Sequence, residues 1–86
     1  MRLAITNRFK VAYEDLESAD QARAEQALRL LATNLRHPSL RVKKIKGTSG
    51  IWEVRVTLSI RLTFEVHGDL LVLRNIGKHD ETLGHP

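Results

Sequence analysis

The 86-residue sequence contains no cysteine, so neither a disulfide nor a thiolate-bound metal can hold the fold together, and a reducing compartment suits it. Long hydrophobic runs are absent too. The stretch Met1-Arg2-Leu3-Ala4-Ile5-Thr6-Asn7-Arg8 carries no apolar segment of signal-peptide length, and nothing later approaches the roughly 20 apolar residues of a membrane span. A soluble cytoplasmic protein with no membrane partner is therefore expected. There is no internal repeat and no low-complexity tract, which sets aside repeat arrays and disordered linkers.

What is present is compositionally globular. With 42% hydrophobic and 28% charged residues, the chain is sized for one small domain spanning residues 1–86, near the lower end of what a single core can sustain without staples. Fourteen Lys and Arg against ten Asp and Glu give a net charge of +4 and a pI near 10.0. Such an excess suits an anionic partner, nucleic acid or an acidic protein. The basic residues are not evenly spread: Arg36, Arg41, Lys43, Lys44 and Lys46 cluster, and Arg55, Arg61, Arg74 and Lys78 come from the last third. The acids Glu14, Asp15, Glu17, Asp20 and Glu25 concentrate in the first half.

Periodicity predicts an α+β chain. Arg2 to Thr6 alternates as a short strand, and Asn7 is expected to cap a helix running to about Leu16, with Phe9, Ala12, Tyr13 and Leu16 on one stripe. Ser18-Ala19-Asp20-Gln21 matches a capping box ahead of a second helix, whose stripe is Ala24, Ala27, Leu28, Leu31 and Leu35 and which His37-Pro38 should end. Gly47-Thr48-Ser49-Gly50 breaks the chain before a three-stranded meander, and His67-Gly68-Asp69 marks its second hairpin. Trp52, Val54, Val56, Leu62, Phe64, Val66, Leu71 and Leu73 share the core parity. Arg55, Arg61 and Arg74 fall on the other, with Glu53, Thr63 and Glu65.

The meander ends at Gly77-Lys78-His79-Asp80-Glu81, so arginines on a non-core face meet a histidine beside two carboxylates. Those residue types suit a phosphodiester. Cutting RNA through its own 2′-hydroxyl needs a group to take that proton, a cation for the phosphate and a group to protonate the leaving oxygen. Histidine titrates near working pH, and the arginine fork makes paired bonds to phosphate without losing charge. Asp80 or Glu81 would orient the ring, while Lys43, Lys44 and Lys46 would grip the backbone regardless of sequence. The plainer readings stay open: His79 as an exposed tail residue, and Arg55 and Arg61 as a lattice with Glu53 and Glu65. His37, His67 and His85 read as capping or solvated residues, and Trp52 as core. The four histidines match no compact ligand motif, so no metal and no cofactor is expected.

The ordered set resembles the RelE/ParE superfamily of bacterial toxins. It comprises His37-Pro38-Ser39-Leu40-Arg41-Val42-Lys43-Lys44-Ile45-Lys46-Gly47, Trp52-x-x-Arg55, Arg61-Leu62-x-Phe64 and Gly77-x-His79-Asp80-Glu81. The resemblance covers essentially the whole chain and implies a helical hairpin packed on one face of a small antiparallel sheet. It also implies a toxin held silent by a cognate antitoxin. RelE-like members cut mRNA on the ribosome without metal; ParE-like members inhibit DNA gyrase; a third possibility is a non-catalytic antitoxin-binding member. By the resemblance, Arg61 contacts the scissile phosphate, Arg55 is its basic neighbour and His79 is the general acid or base. Arg41, Lys43, Lys44, Lys46, Arg74 and Lys78 would bind RNA. Leu83 stands where such nucleases commonly keep a base-stacking aromatic.

Overall fold

The alternating and helical stretches resolve, in a computed structural model covering Met1–Pro86, into β1 (Arg2–Ile5), α1 (Asn7–Glu14), α2 (Ser18–Thr33), a one-turn 3-10 helix (Pro38–Leu40), β2 (Lys43–Lys44), β3 (Ile51–Arg55), β4 (Ile60–His67), β5 (Leu70–Lys78) and α3 (His79–Gly84). The sheet order is β1-β5-β4-β3-β2. Strands β3, β4 and β5 form the expected antiparallel meander. The sheet as a whole is mixed, because β1 runs parallel to β5 with Leu3 beside Leu71 and Ile5 beside Leu73. Strand β2 was not expected: Lys43 and Lys44 pair with Glu53 and Trp52, and two residues are too few to show alternation.

Helices α1 and α2 cover one face. Phe9, Ala24, Ala27, Leu31 and Leu40 meet Val54, Ile60, Leu62, Phe64, Leu71, Leu73 and Ile76 in one buried cluster, the non-directional apolar burial that drives folding. The expected parity holds for Val54, Leu62, Phe64, Leu71 and Leu73, all fully buried. It weakens at one end. Leu28, Leu35, Trp52 and Val56 are only partly buried at the margin of that cluster, and Val66 is 39% exposed. Trp52, Phe64 and Val66 line a groove of about 620 Å³ with Leu35 and Val42.

Three boundary signals resolve differently from their sequence reading. Thr6, not Asn7, caps α1: its Oγ1 accepts from the Phe9 N–H at 3.1 Å and donates to the Leu73 carbonyl at 2.7 Å. The capping box at Ser18 does not form. Glu17 stands at the cap position without a side-chain bond, and Gln21 Nε2 donates to the Tyr13 carbonyl at 3.0 Å, tying α2 to α1 instead. Helix α2 ends at Thr33. His37-Pro38 opens the 3-10 turn, where His37 Nδ1 accepts from the Ser39 N–H at 3.2 Å and the turn delivers Leu40 to the core.

Between β4 and β5 the register shifts: Thr63 faces Asn75, Phe64 faces Leu73, and Arg74 is left over. This β-bulge puts Arg74 outside the ladder. Its Nη1 donates to Glu65 Oε2 and its Nε to the Pro86 carbonyl at 3.1 Å. Thr63 Oγ1 also donates to the Pro86 carbonyl at 3.0 Å, while Asn75 Nδ2 (3.0 Å) and Arg8 Nη2 donate to the His85 carbonyl. Residues 85–86 are thereby strapped to the sheet. Just before them, α3 occupies what the sequence read as a tail, with Thr82 buried over Gly77.

Two outcomes follow from this packing. A Cβ at Gly77 would lie 2.9 Å from Thr82 Oγ1, so Gly77→Ala should destabilise the fold by about 1–3 kcal/mol. The double variant with Thr82→Ala should lose less than the sum of the single variants in urea unfolding, and strict additivity would contradict the contact. The Arg74 guanidinium, and after it His67, holds the Glu65 carboxyl below its ordinary value. A depressed folded pKa gives stability that is present above the unfolded value and lost as pH falls through the folded one. Glu65→Gln should therefore cost stability at neutral pH and little in strong acid, measured by denaturant unfolding across pH; an equal loss at both would refute the linkage.

Candidate functional site

Across three strands, Arg55 lies directly opposite Arg61, and Arg61 opposite Gly77. Like charges directly opposed on neighbouring strands repel, and here no carboxylate relieves them. Glu53 is committed to Lys43 at 3.5 Å, and Glu65 to Arg74 and to His67 at 3.2 Å. The lattice of Arg55 and Arg61 with Glu53 and Glu65 is thus not formed. Arg55 also borders a small cleft with Arg23 and Gln26 of α2.

Arg61 curls back on the connection between β3 and β4. Its Nη1 donates to the carbonyls of Thr57 at 2.9 Å, Leu58 at 3.2 Å and Ile60 at 3.2 Å. Nε and Nη2 have no protein acceptor, so one edge of the guanidinium fork is uncommitted, the edge that can take two oxygens of one anion. His79 meets the same connection from the other side. It is the first residue of α3, and its backbone N–H donates to the Ser59 carbonyl at 2.8 Å. Its side chain is 47% exposed, with Nδ1 3.1 Å from Asp80 Oδ1. His79 therefore opens a helix and is tied by its backbone to the connection that Arg61 bonds, while its imidazole stays exposed.

The remaining cations divide. By register with Glu53, Lys43 lies on the arginine face one row from Arg55, whereas Lys44 lies opposite Trp52 on the helix side. Arg41 adopts a left-handed backbone, φ 46, after the 3-10 turn, and borders the apolar groove with Arg36 and His37. Lys46 is exposed in the loop beyond β2. Arg74 is occupied by Glu65 and Pro86, and Lys78 borders a polar cleft with Asp15, Glu17, Asp20 and Glu81. Arg55 and Arg61 are thus direct register partners, Lys43 lies one row away, and His79 is tied by its backbone to the connection that Arg61 also bonds, while Lys44, Lys46, Arg41 and Arg74 are placed apart from them. The sequence reading missed Thr57, whose Oγ1 accepts from the N–H groups of Ser59 and Ile60. A threonine opening a short connection was the readable signal. No three His, Asp or Glu side chains gather where they could hold a metal ion, and no helix is long and apolar enough to cross a membrane.

No protein-family model matches the sequence, and no curated protein matches it. Solved structures do match its three-dimensional form. A YoeB/ParE toxin from Agrobacterium tumefaciens superposes with a TM-score of 0.77 at 20% identity, covering 92% of this chain and 99% of that one. YafQ from Escherichia coli gives a TM-score of 0.81 at 16% identity, covering 95% and 98%. The intact E. coli RelBE toxin-antitoxin complex contains a chain matching with a TM-score of 0.72 at 17% identity, covering 91% and 95%. With its mixed sheet, its helical hairpin and its strand-ending short helix, this chain has the fold of the RelE/YoeB/ParE toxins.

Proposed function

We propose that the protein is the toxin of a type II toxin–antitoxin pair and cuts mRNA bound to the ribosome. The observation that carries this reading is the meeting of Arg61 and His79 at one turn, with Arg55 opposite Arg61 and no carboxylate on either guanidinium. In that arrangement the uncommitted edge of Arg61 binds the scissile phosphate, and Arg55 adds positive charge along the backbone. The ribose 2′-oxygen attacks phosphorus, the bond to the 5′-oxygen breaks, and His79 gives that oxygen its proton. The 2′-hydroxyl proton passes to solvent, because Glu53 and Glu65, the carboxylates of this face, are both occupied by cations. Products are a 2′,3′-cyclic phosphate and a 5′-hydroxyl. Charge stabilisation comes from arginine, so the reaction is written without a metal.

A second reading is favoured by one residue. Leu83, partly buried on α3, leaves no aromatic on this helix to stack on a base, which fits a ParE-like toxin that occupies DNA gyrase, or an antitoxin-binding member without activity.

For the antitoxin, the groove of Leu35, Val42, Trp52 and Val66 has cations, Arg36 and Arg41, and no acid at its rim. An acidic amphipathic segment complements it in both respects. The protein belongs in the cytoplasm, where ribosomes, gyrase and antitoxin all are.

Arg61→Ala and His79→Ala should each lower single-turnover cleavage of ribosome-bound mRNA by about 10²–10⁴-fold without unfolding the protein. Arg61→Lys should recover only part of the loss, since it keeps charge but not the fork. Wild-type rates in His79→Ala would remove the nuclease reading, and supercoiling inhibition by the wild type without cleavage would establish the gyrase one. Trp52 is the only tryptophan, so its fluorescence should shift when the protein encoded beside this one is added. Val66→Asp should weaken that binding by about tenfold or more, the consequence of placing a charge in an apolar contact; an unchanged titration would place the antitoxin elsewhere.

A further inference from the structure

The tip of the connection between β3 and β4, residues 58–59, has little packing to set its shape. Leu58 is 78% exposed and Ser59 is exposed as well. Within the connection, Thr57 Oγ1 accepts from the backbone N–H of Ser59 at 3.3 Å and of Ile60 at 3.1 Å. All four carbonyls of residues 57–60 are bonded too, that of Ile60 to the N–H groups of Val56 at 3.0 Å and Thr57 at 3.3 Å, which close the turn. Those of Thr57, Leu58 and Ile60 accept from Arg61 Nη1, and that of Ser59 accepts from the His79 N–H. The last bond also satisfies one of the first-turn donors that any helix leaves free.

We infer that Thr57 is a positioning residue that sets Arg61 and His79 in one frame, an inference that rests on reading those two as the catalytic pair. The phosphate held by Arg61 and the leaving oxygen protonated by His79 belong to the same phosphodiester, so their separation has to be held closely. A misplacement of about 1 Å costs about 10²-fold in rate. Thr82 packed against Gly77 seats α3 on the sheet, but neither the guanidinium nor the imidazole has another polar anchor of comparable kind. Arg61 has no carboxylate partner, and the only side chain bonded to the His79 ring is that of Asp80, itself fully exposed. Gly77, opposite Arg61, brings no side chain to the gap. The polar link between them is the turn, and the side chain bonded within it is that of Thr57.

The test compares Thr57→Val, which keeps the shape and removes the acceptor, with Thr57→Ser, which keeps the acceptor. In single-turnover cleavage of ribosome-bound mRNA, Thr57→Val should slow the chemical step by about 10²-fold at an unchanged half-saturating protein concentration, and Thr57→Ser should recover most of the rate. Without any RNA, nitrogen-15 NMR of the free protein should show the Thr57→Val change moving the Arg61 side-chain Nε resonance and speeding exchange of the His79 amide together. Thr57→Ser should do neither. If only one reporter responds to Thr57→Val, or neither does, the inference is overturned. A wild type that cuts no mRNA defeats the nuclease reading alone, and the paired NMR reporters still decide whether Thr57 couples the two residues. Should Thr57→Val not fold, hydrogen exchange in the wild type decides: the Ile60 amide, bonded to Thr57, and the His79 amide must open at one common rate, and independent rates reject the coupling.

Discussion

One extra residue in β5 determines what both faces of the sheet present. Strict alternation from Leu71 and Leu73 would send Asn75 and Gly77 into the core. Because Arg74 is left out of the ladder, Ile76 goes in opposite Leu62, and Gly77 comes out opposite Arg61. The core gains an isoleucine buried to 3%, and the arginine row gains a gap where α3 can seat Thr82. A bulge adds local twist and re-aims side chains, which is why such irregularities collect beside functional sites. The bulged residue is kept in place by Glu65 and the Pro86 carbonyl.

The face away from α1 and α2 is less open than an alternating pattern implies. Glu53 is 4% exposed and Thr63 fully buried, yet no buried side-chain polar atom lacks a partner. Lys43 answers the Glu53 charge from an exposed position, and residues 85–86 answer Thr63 and Asn75 through their carbonyls. Burying polar groups is costly unless each is bonded. On this face the cations divide into Lys43 and Arg74, paired with carboxylates, and Arg55 and Arg61, which have none.

The sequence was legible wherever many residues repeat one period. The meander, the core parity of Val54, Leu62 and Phe64, and the stripe of α2 depend on several side chains each, so one local exception does not disturb them. It was illegible where a single contact decides. Strand β2 is two residues long; α3 is six, with an ordinary-looking Gly-Lys-His opening; the bulge at Arg74 leaves no mark in an alternation that still looks regular through Leu73. Local capping chemistry failed for a related reason, since Gln21 found a better acceptor in Tyr13 across the hairpin than in its own first turn. For the site, the residue types pointed to Arg61 and His79, but both bond to backbone carbonyls of Thr57, Leu58 and Ser59, residues whose side chains gave no such signal.

The pairing of β1 with β5 joins the beginning of the chain to its last strand: Arg2 lies beside Leu70 and Ile5 beside Leu73. Contacts of such long sequence separation form late, because the intervening loop must be closed before they give anything back. During synthesis, β1 therefore emerges long before its only strand neighbour exists, and it waits with Ile5 unpaired until β5 is complete. The row of Arg55 and Arg61 is no sooner finished, since Gly77 and the His79 anchor arrive with that same strand. Timing is thus built into the topology: a chain made only as far as β4 has neither its edge-strand pairing nor its assembled turn.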